Sequence, residues 1–475
     1  MKDAIIIGGG LAGLSAAWKL RHWDIEVLES DPERIGGRIM SEKHGNYVMN
    51  WGGHMFAGEG SSTTELLAET GVRSTRIPGA LSGMALNGKF LTTGPVMTYP
   101  FRFPMSTAGR MSIMKPGAKL ALDVLRYTRA VASRQGETPE TRQQRIYDFE
   151  NERTFQEYIG ELSDDAKKFF IPVVMRSAAD PHELSAGAGI GYFSLIWDIG
   201  QGLGRAVVGG AATLTETIAQ TIRDRVQLGA VVDEVVQLAD HVVVRYTQNG
   251  VAKEEKARTA VLATPAPITN KIAVNISNNL SDALSQIKYG PHVAGAFLTN
   301  EDKPMPYDGT YGIAAANKSF TVALNQGNLT RGRETTRQPG GSMMTFSPAS
   351  MGRKLWDMDK EDIAKTYIKD LNDIFPGFED IVEESRIEKF EFGSPYCFPG
   401  RAKLQPILTR PEKRVFLAGD YLGTLYTETS ISSGFTAASE VSSVLATEMQ
   451  SGRIPAPAAP RSNFSDNSKG MMTNA

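Results

Sequence analysis

The sequence predicts an α/β fold organised on a buried parallel strand, and three observations at its start carry that prediction. Ala4-Ile5-Ile6-Ile7 is an uninterrupted apolar run, as expected of a strand covered on both faces. Gly8-Gly9-Gly10-Leu11-Ala12-Gly13 follows at once, and Leu14-Ser15-Ala16-Ala17-Trp18-Lys19-Leu20 continues with small and apolar residues at helical spacing. A second strand, Ile25-Glu26-Val27-Leu28, ends at Glu29, roughly 20 residues beyond the first glycine.

Each part of this strand, glycine turn and helix has its own task. Gly8 allows a tight turn, Gly10 lets a pyrophosphate approach the backbone, and Gly13 lets the helix pack close to the strand. The helix opens at Leu11 and Ala12, where unpaired N–H groups and a partial positive charge face the phosphates. Glu29, with Ser30 beside it, stands where a ribose-binding carboxylate belongs. Together these features predict a Rossmann-like dinucleotide site.

Composition bounds the rest. At 475 residues the chain has room for two or three domains, and a formal charge of −2 gives no bulk attraction to nucleic acid. A single cysteine, Cys397, excludes an internal disulfide framework and suits a reducing cytoplasm. Six histidines and that cysteine form no ligand-like cluster, so no metal site is expected. The first strand begins too close to Met1 for a signal peptide, and no apolar stretch is long enough to span a bilayer. Residues 451–475 are rich in Pro, Ser and Asn and are expected to be disordered. No Ser/His/Asp or paired-carboxylate arrangement points to hydrolysis.

Two further glycine pairs follow the opening unit. Gly36-Gly37-Arg38 fits a backbone passing close to a second phosphate or a ring, with a fixed cation beside it. Tyr47-Val48-Met49-Asn50-Trp51-Gly52-Gly53-His54 reads as a strand ending in paired glycines, with His54 either structural or facing the cofactor.

Taken together, GGGLAGLSAAWKL, VLES, ERIGGRI and NWGGHMF resemble the flavin-containing amine oxidase superfamily, which includes amine oxidases, protoporphyrinogen oxidases and phytoene-type desaturases and isomerases. The resemblance implies a discontinuous, GR2-type Rossmann-like FAD-binding domain interleaved with an α+β substrate-binding domain. The expected division is 1–80, 201–270 and 401–450 for the FAD-binding parts, with 81–200 and 271–400 for the substrate domain. Cofactor contacts are then expected from Gly8, Gly10, Leu11, Ala12, Gly13, Glu29, Ser30, Gly36, Gly37, Arg38, Gly52, Gly53 and His54.

From Leu81 to Arg134 the chain is first aromatic and Pro-rich, and GAKLALDVLRYTRAVASR then reads as an amphipathic helix. Lys89, Arg102, Arg110, Lys115, Lys119, Arg126, Arg129 and Arg134 face one acid, Asp123. Such a stretch can lie on an anionic membrane surface, or it can be a solvated helical lid over the substrate cavity. Helices are expected across 154–174, and Asp180-Pro181-His182-Glu183-Leu184-Ser185-Ala186 resembles a helix junction of protoporphyrinogen oxidase relatives.

Between Gly209 and Pro267 a helix, two β-rich runs joined at Asn249-Gly250 and a strand ending at Thr264-Pro265 form the second expected return to the FAD domain. The resemblance places the Val232 backbone beside the adenine and Thr264 at the exit to the substrate domain. His292 occupies a strand position where many amine oxidases carry a lysine beside the flavin, a departure from their pattern. Ile363–Ile374 reads as a helix, and Tyr396 is the candidate aromatic brought to the flavin face, with core packing as the other reading.

The third return is Arg414-Val415-Phe416-Leu417-Ala418-Gly419-Asp420, followed by a helix rich in small residues from Ser430. Gly419 permits close approach and the Asp420 carboxylate can hold ribityl hydroxyls. Thr429 and Ser430 at the helix N-terminus would aim donors at the flavin's pyrimidine carbonyl. Tyr426 falls where amine oxidases place one tyrosine of an aromatic cage, and the family's covalent cysteine has no counterpart, so FAD is expected to be non-covalent.

The expected activity is removal of two hydrogens from an apolar or cyclic small molecule by hydride transfer to flavin, as amine oxidation or C–C desaturation. His54, His292, Tyr396 and Tyr426 are the candidate catalytic residues. A non-oxidative flavin enzyme, such as a carotenoid-type isomerase or a sugar mutase, is the alternative, and a flavin-binding partner protein without turnover is a third reading. The expected location is cytoplasmic, with peripheral membrane contact through 89–134.

Overall fold

The computed structural model describes residues 1–79, 81, 83–197, 202–334, 336–410 and 412–453. The segment expected to be disordered lies, from residue 454 onward, outside the described residues. The fold is mixed α/β, with two seven-stranded sheets and a helical layer.

The first sheet runs in the order 230–237, 242–248, 251–262, 2–7, 25–28 and 226–227, and 415–417 adds on to 251–262. Lys2–Ile7 is its centre, parallel to Ile25–Leu28 on one side and to the end of Val251–Leu262 on the other. The apolar run predicted this position correctly. Ala4 and Ile6 enter one core cluster and Ile5 and Ile7 enter another, so each face of the strand is covered. Val251–Leu262 changes partner along its length. Its first half closes an antiparallel meander, with Asn249 and Gly250 both at positive φ in the turn, and its second half joins the parallel core.

Two helices pack on the same face of this sheet. Leu11–Leu20 follows the glycine turn, and Thr427–Gln450 crosses it. A Cβ on Gly13 would overlap the Gly8 carbonyl oxygen, and one on Gly434 would press on the Ala12 carbonyl. The small residues of both helices are therefore what permits this spacing.

The second sheet, in the order 382–395, 289–299, 341–348, 322–325, 312–315, 83–86 and 89–91, is antiparallel except where 83–86 runs parallel to 312–315. Residues 83–91 thus form an edge hairpin turned by Asn87 and Gly88, both at positive φ. The helical layer packs Phe155, Tyr158, Phe170, Ile190 and Phe193 into one cluster.

Its longest helix, Thr107–Val131, begins ten residues before the expected start at Gly117. Ser106 caps it by accepting from the Gly109 N–H at 2.9 Å, and Pro116 sits inside it. An interior proline costs about 3 kcal/mol. Burial of Ile113, Leu120 and Val124 offsets that cost. No helix among the described residues is long and apolar enough to cross a membrane.

Gly13→Ala is expected to destabilise the protein by about 2–4 kcal/mol through overpacking against the turn, whereas Gly58→Ala, which meets nothing within 4 Å, should stay within about 0.5 kcal/mol. Chemical denaturation of the two variants checks this, and equal losses would refute the close-packing argument.

Candidate active site

One cavity of about 610 Å³ joins the two sheets, lined by the opening glycine turn at one end and by apolar side chains at the other. Its polar end is built from backbone. Gly8 takes φ +102°, open only to glycine, and turns the chain out of the first strand. The Gly9 N–H donates to Glu29 Oε2 at 2.8 Å, and the Asp31 N–H donates to Glu29 Oε1 at 2.9 Å, fixing that carboxylate beside the turn. The Gly36 N–H donates to the Gly9 carbonyl at 2.8 Å, which lays the second glycine pair against the first. A Cβ on Gly10 would meet only Gly37 Cα, at 3.9 Å, so the space above this turn is open to a ligand.

The middle of the cavity is held by Arg38. Its guanidinium pairs with Asp420, at 3.0 Å to Oδ1 and 2.8 Å to Oδ2, and donates to the carbonyls of Phe392 and Gly393 at 3.1 and 3.0 Å. A third of the Arg38 side chain stays accessible, while Asp420 is buried. The Gly53 N–H donates to the Arg38 carbonyl at 2.9 Å, so the Gly52-Gly53-His54 turn rests on the same residue.

The closing helix presents its N-terminus here. The Thr427 hydroxyl donates to the Met55 carbonyl at 2.6 Å, and Glu428 accepts from the Ser62 and Thr63 N–H groups at 2.8 and 3.0 Å, capping a neighbouring helix. Tyr426, just before the helix, lies at φ +47° and ψ −103°, a backbone region a bulky side chain seldom occupies. Its side chain lines the cavity, and burial raises its phenol well above the ordinary value.

Two histidines face the interior. His54 Nδ1 lies 2.9 Å from the Gly52 carbonyl, and its Nε2 is buried without a partner. His292, on the strand Tyr289–Thr299, sets its ring edge-on to Phe346 at 4.5 Å, and its Nε2 is likewise buried and unpaired. Burial, and secondly the Arg38 charge, pushes the His292 pKa down to about 3, and burial lowers that of His54. Both rings are neutral at physiological pH. They can make hydrogen bonds but cannot store a proton there.

Most of the predicted residues converge on this cavity: Gly8, Gly10, Leu11, Ala12, Glu29, Ser30, Gly36, Gly37, Arg38, Gly52, Gly53, His54, Thr264, His292, Gly419, Asp420, Tyr426 and Ser430 all line it. Four do not. Gly13 acts behind the turn, through packing alone. Val232 pairs with Tyr246 beside a register shift in the meander and packs against the sheet, although the preceding Ala230 N–H does reach the Glu29 carbonyl at 2.8 Å. The Thr429 hydroxyl turns back to accept from the Leu425 N–H at 2.9 Å, leaving Thr427 and Ser430 on the cavity. Tyr396 lies past the strand end at Pro395 and packs into the helical cluster, so its core reading holds, while Phe390 and Phe392 line the cavity.

The lid reading needs the same correction. No residue of Thr107–Val131 lines the cavity; that helix backs onto Ala186–Ile196, where Gly191 faces the Tyr127 ring. Tyr192, Leu195 and Ile196 of the latter form the wall. Arg176, Tyr192, Tyr311 and Phe346 were missed because their sequence surroundings contain no motif and only the tertiary fold brings them together.

The cradle fits FAD. Open space over Gly10, a fixed carboxylate at one end, unpaired buried imidazoles and a long apolar continuation match a dinucleotide bearing a flat ring system. The class this defines is an FAD-dependent oxidoreductase. Residues 11–442 match the family model described as flavin containing amine oxidoreductase, and the chain belongs to that family. FAD is its cofactor.

The chain is 38% identical over 73 residues, 15% of its length and 16% of the relative's, to "Probable flavin-containing monoamine oxidase A" of Dictyostelium discoideum. It is 23% identical to the horse (Equus caballus) "Amine oxidase [flavin-containing] A" over 94% of this chain and 86% of the horse protein. The solved structure of cyclohexylamine oxidase from Brevibacterium oxydans IH-35A superposes with a TM-score of 0.73 at 18% identity, covering 94% of this chain and 99% of that one, and shows the same fold.

The neutral histidines set a pH dependence. An unfolded imidazole takes up a proton near pH 6.5, whereas folded His292 refuses it down to about 3, so the unfolded state binds more protons as pH falls through that window and stability declines. Denaturant midpoints at about pH 7 and about pH 4.5 should therefore converge in His292→Gln relative to the parent. An unchanged difference would show that His292 is not buried as a neutral ring.

Proposed function

We propose that the protein oxidises an apolar or cyclic amine, with the first sheet acting as a discontinuous, Rossmann-like FAD-binding unit and the second sheet with the helical layer as the substrate domain. The strands of the first sheet come from 2–28, 226–262 and 415–417, and those of the second from 83–91 and 289–395, which supports division near residues 80, 200, 270 and 400. The observation that carries the reading is continuity: a single cavity passes from the Glu29 end, past Arg38 and Asp420, into a chamber walled by Tyr192, Leu195, Tyr311, Met344 and Phe346.

Bound FAD would supply the acceptor for the hydride, and with it the two electrons, lost by the substrate. The chain does the remainder. Glu29 and the helix N-terminus at Leu11 would orient the nucleotide, and Gly52, Gly53 and Ser430 would border the ring system. Tyr426 and the chamber walls exclude water around the carbon that is oxidised. His54 and His292 donate or accept single hydrogen bonds through Nε2 and position rather than ferry protons. An ammonium substrate would therefore give its proton to bulk water before the hydride leaves carbon, and the iminium product carries the positive charge.

Attachment of FAD is non-covalent on this reading. Cys397, the single cysteine, lies off the cavity, and burial pushes its thiol up to about 11, far from the reactive thiolate range. Purified protein is expected to be yellow, to release all its flavin on acid precipitation, and to bleach anaerobically with an amine such as cyclohexylamine or benzylamine. Turnover only after dithionite reduction would favour the isomerase reading, and colourless protein indifferent to added FAD would overturn both.

Peripheral membrane contact has its own support. Met111, Met114, Leu122 and Leu125 are 47–66% exposed along one stripe of Thr107–Val131, with Lys115, Lys119, Arg126 and Arg129 flanking it. Vesicles containing about one-third phosphatidylserine are expected to sediment the protein, vesicles of phosphatidylcholine to do so poorly, and Leu122→Glu/Leu125→Glu to abolish the difference. Equal behaviour of parent and variant would remove the stripe from the account.

A further inference from the structure

Among the described residues three cationic side chains, Arg38, Arg176 and Lys389, line the cavity, and two are already committed. Arg38 is held by Asp420 and two carbonyls, and Lys389 donates to the carbonyls of Trp356 and Met358 at 2.6 Å each. Arg176 is different. Its guanidinium donates to the Tyr192 hydroxyl and lies 6.0 Å from the centre of that ring, and among the described residues it has no carboxylate partner.

The acids nearest to it in sequence are taken. Asp180 accepts from Ser350 and Arg353 at 2.7 Å each, and Arg353 also reaches Glu183 at 3.2 Å. The backbone that carries Arg176 is rigid. It ends a short helix at Ala178, held at φ +77° with its N–H on the Met175 carbonyl at 3.0 Å, and Gly290 packs against it so closely that a Cβ there would overlap the Ala178 carbonyl.

Arg176 is half-buried on the cavity wall and pairs with no carboxylate among the described residues, so its guanidinium is available to a carboxylate carried by a ligand. Its planar fork matches a carboxylate with two parallel hydrogen bonds. Resting on the reading of this chamber as the substrate site, we propose that the substrate is an organic carboxylate, an apolar amine that also bears an acid group, and that Arg176 receives that group. Tyr192 then holds the guanidinium in place from the side, and Leu195, Ile196 and Phe346 cover the apolar body of the molecule.

The test uses FAD-loaded protein and two probe pairs of matched shape, benzoate against benzamide and 3-phenylpropionate against its amide, with binding followed by perturbation of the flavin absorbance. At least one carboxylate is expected to bind more tightly than its amide by roughly 10–100-fold, the scale of a charge-assisted pair. Arg176→Met should erase that preference and Arg176→Lys should keep part of it, with flavin content and melting temperature unchanged in both. Amides binding as well as carboxylates in both pairs, or a preference that survives in Arg176→Met, overturns the proposal. Failure to load FAD at all would instead strike at the flavoenzyme reading, so the two failures are told apart.

Discussion

The ion pair between Arg38 and Asp420 is the constraint on which the site depends. It joins residues 382 positions apart, and through the carbonyls of Phe392 and Gly393 it also fixes the end of the strand 382–395. Burying such a pair yields little net stability, because desolvation consumes most of the Coulombic attraction. Its effect is on arrangement. Removing either partner strands a charge beside the cavity, so alternative packings of the opening loop, the closing strand and the substrate sheet are penalised against this one. The same guanidinium adds to the burial that depresses His292, so it bears on both the geometry and the protonation state of the centre.

Around that pair, the nucleotide end is shaped by the absence of side chains. Gly8, Gly13, Gly36 and Gly434 stand where a Cβ would collide with backbone or a neighbouring hydroxyl, and the strand, two helices and a loop close to within contact of one another. Glu29 is the counterpart in side-chain chemistry. Two backbone N–H groups hold its carboxylate against the turn.

How much of this was legible in the sequence follows from how local each requirement is. Gly8, Gly36, Gly37 and Gly52 were readable because a tight turn or a close backbone approach demands glycine whatever the rest of the fold does. Gly419-Asp420 and Tyr426 were singled out by their order after the opening motif, and all three line the cavity. Thr429 and Tyr396 turn their side chains off the cavity: one residue along a helix start, or one step past a strand end at Pro395, turns a group from the cavity into the core, the other reading given for Tyr396. Val232 packs its side chain against the sheet beside a bulge that leaves no trace in composition. The helix 107–131 was begun too late because Pro116 reads as a stop, and only its burial against the helical layer shows why it is tolerated. Tyr311 and Phe346 could not have been found, since each is an ordinary core aromatic until strands far apart in sequence face it toward the same space.

The chemistry of the chamber follows from its low polarity. An imidazole held neutral to about pH 3 cannot act as the base for an ammonium, so on the proposed reading an amine would enter as the minority free base or lose its proton on the way in. Desolvation by Tyr192, Leu195 and Phe346 favours that loss, because burial disfavours an ammonium among apolar walls as surely as it disfavours the protonated ring of His292. On the proposed amine-oxidase reading, an active site whose histidines are buried out of their usual range would leave activity limited by a proton belonging to the substrate rather than to those rings.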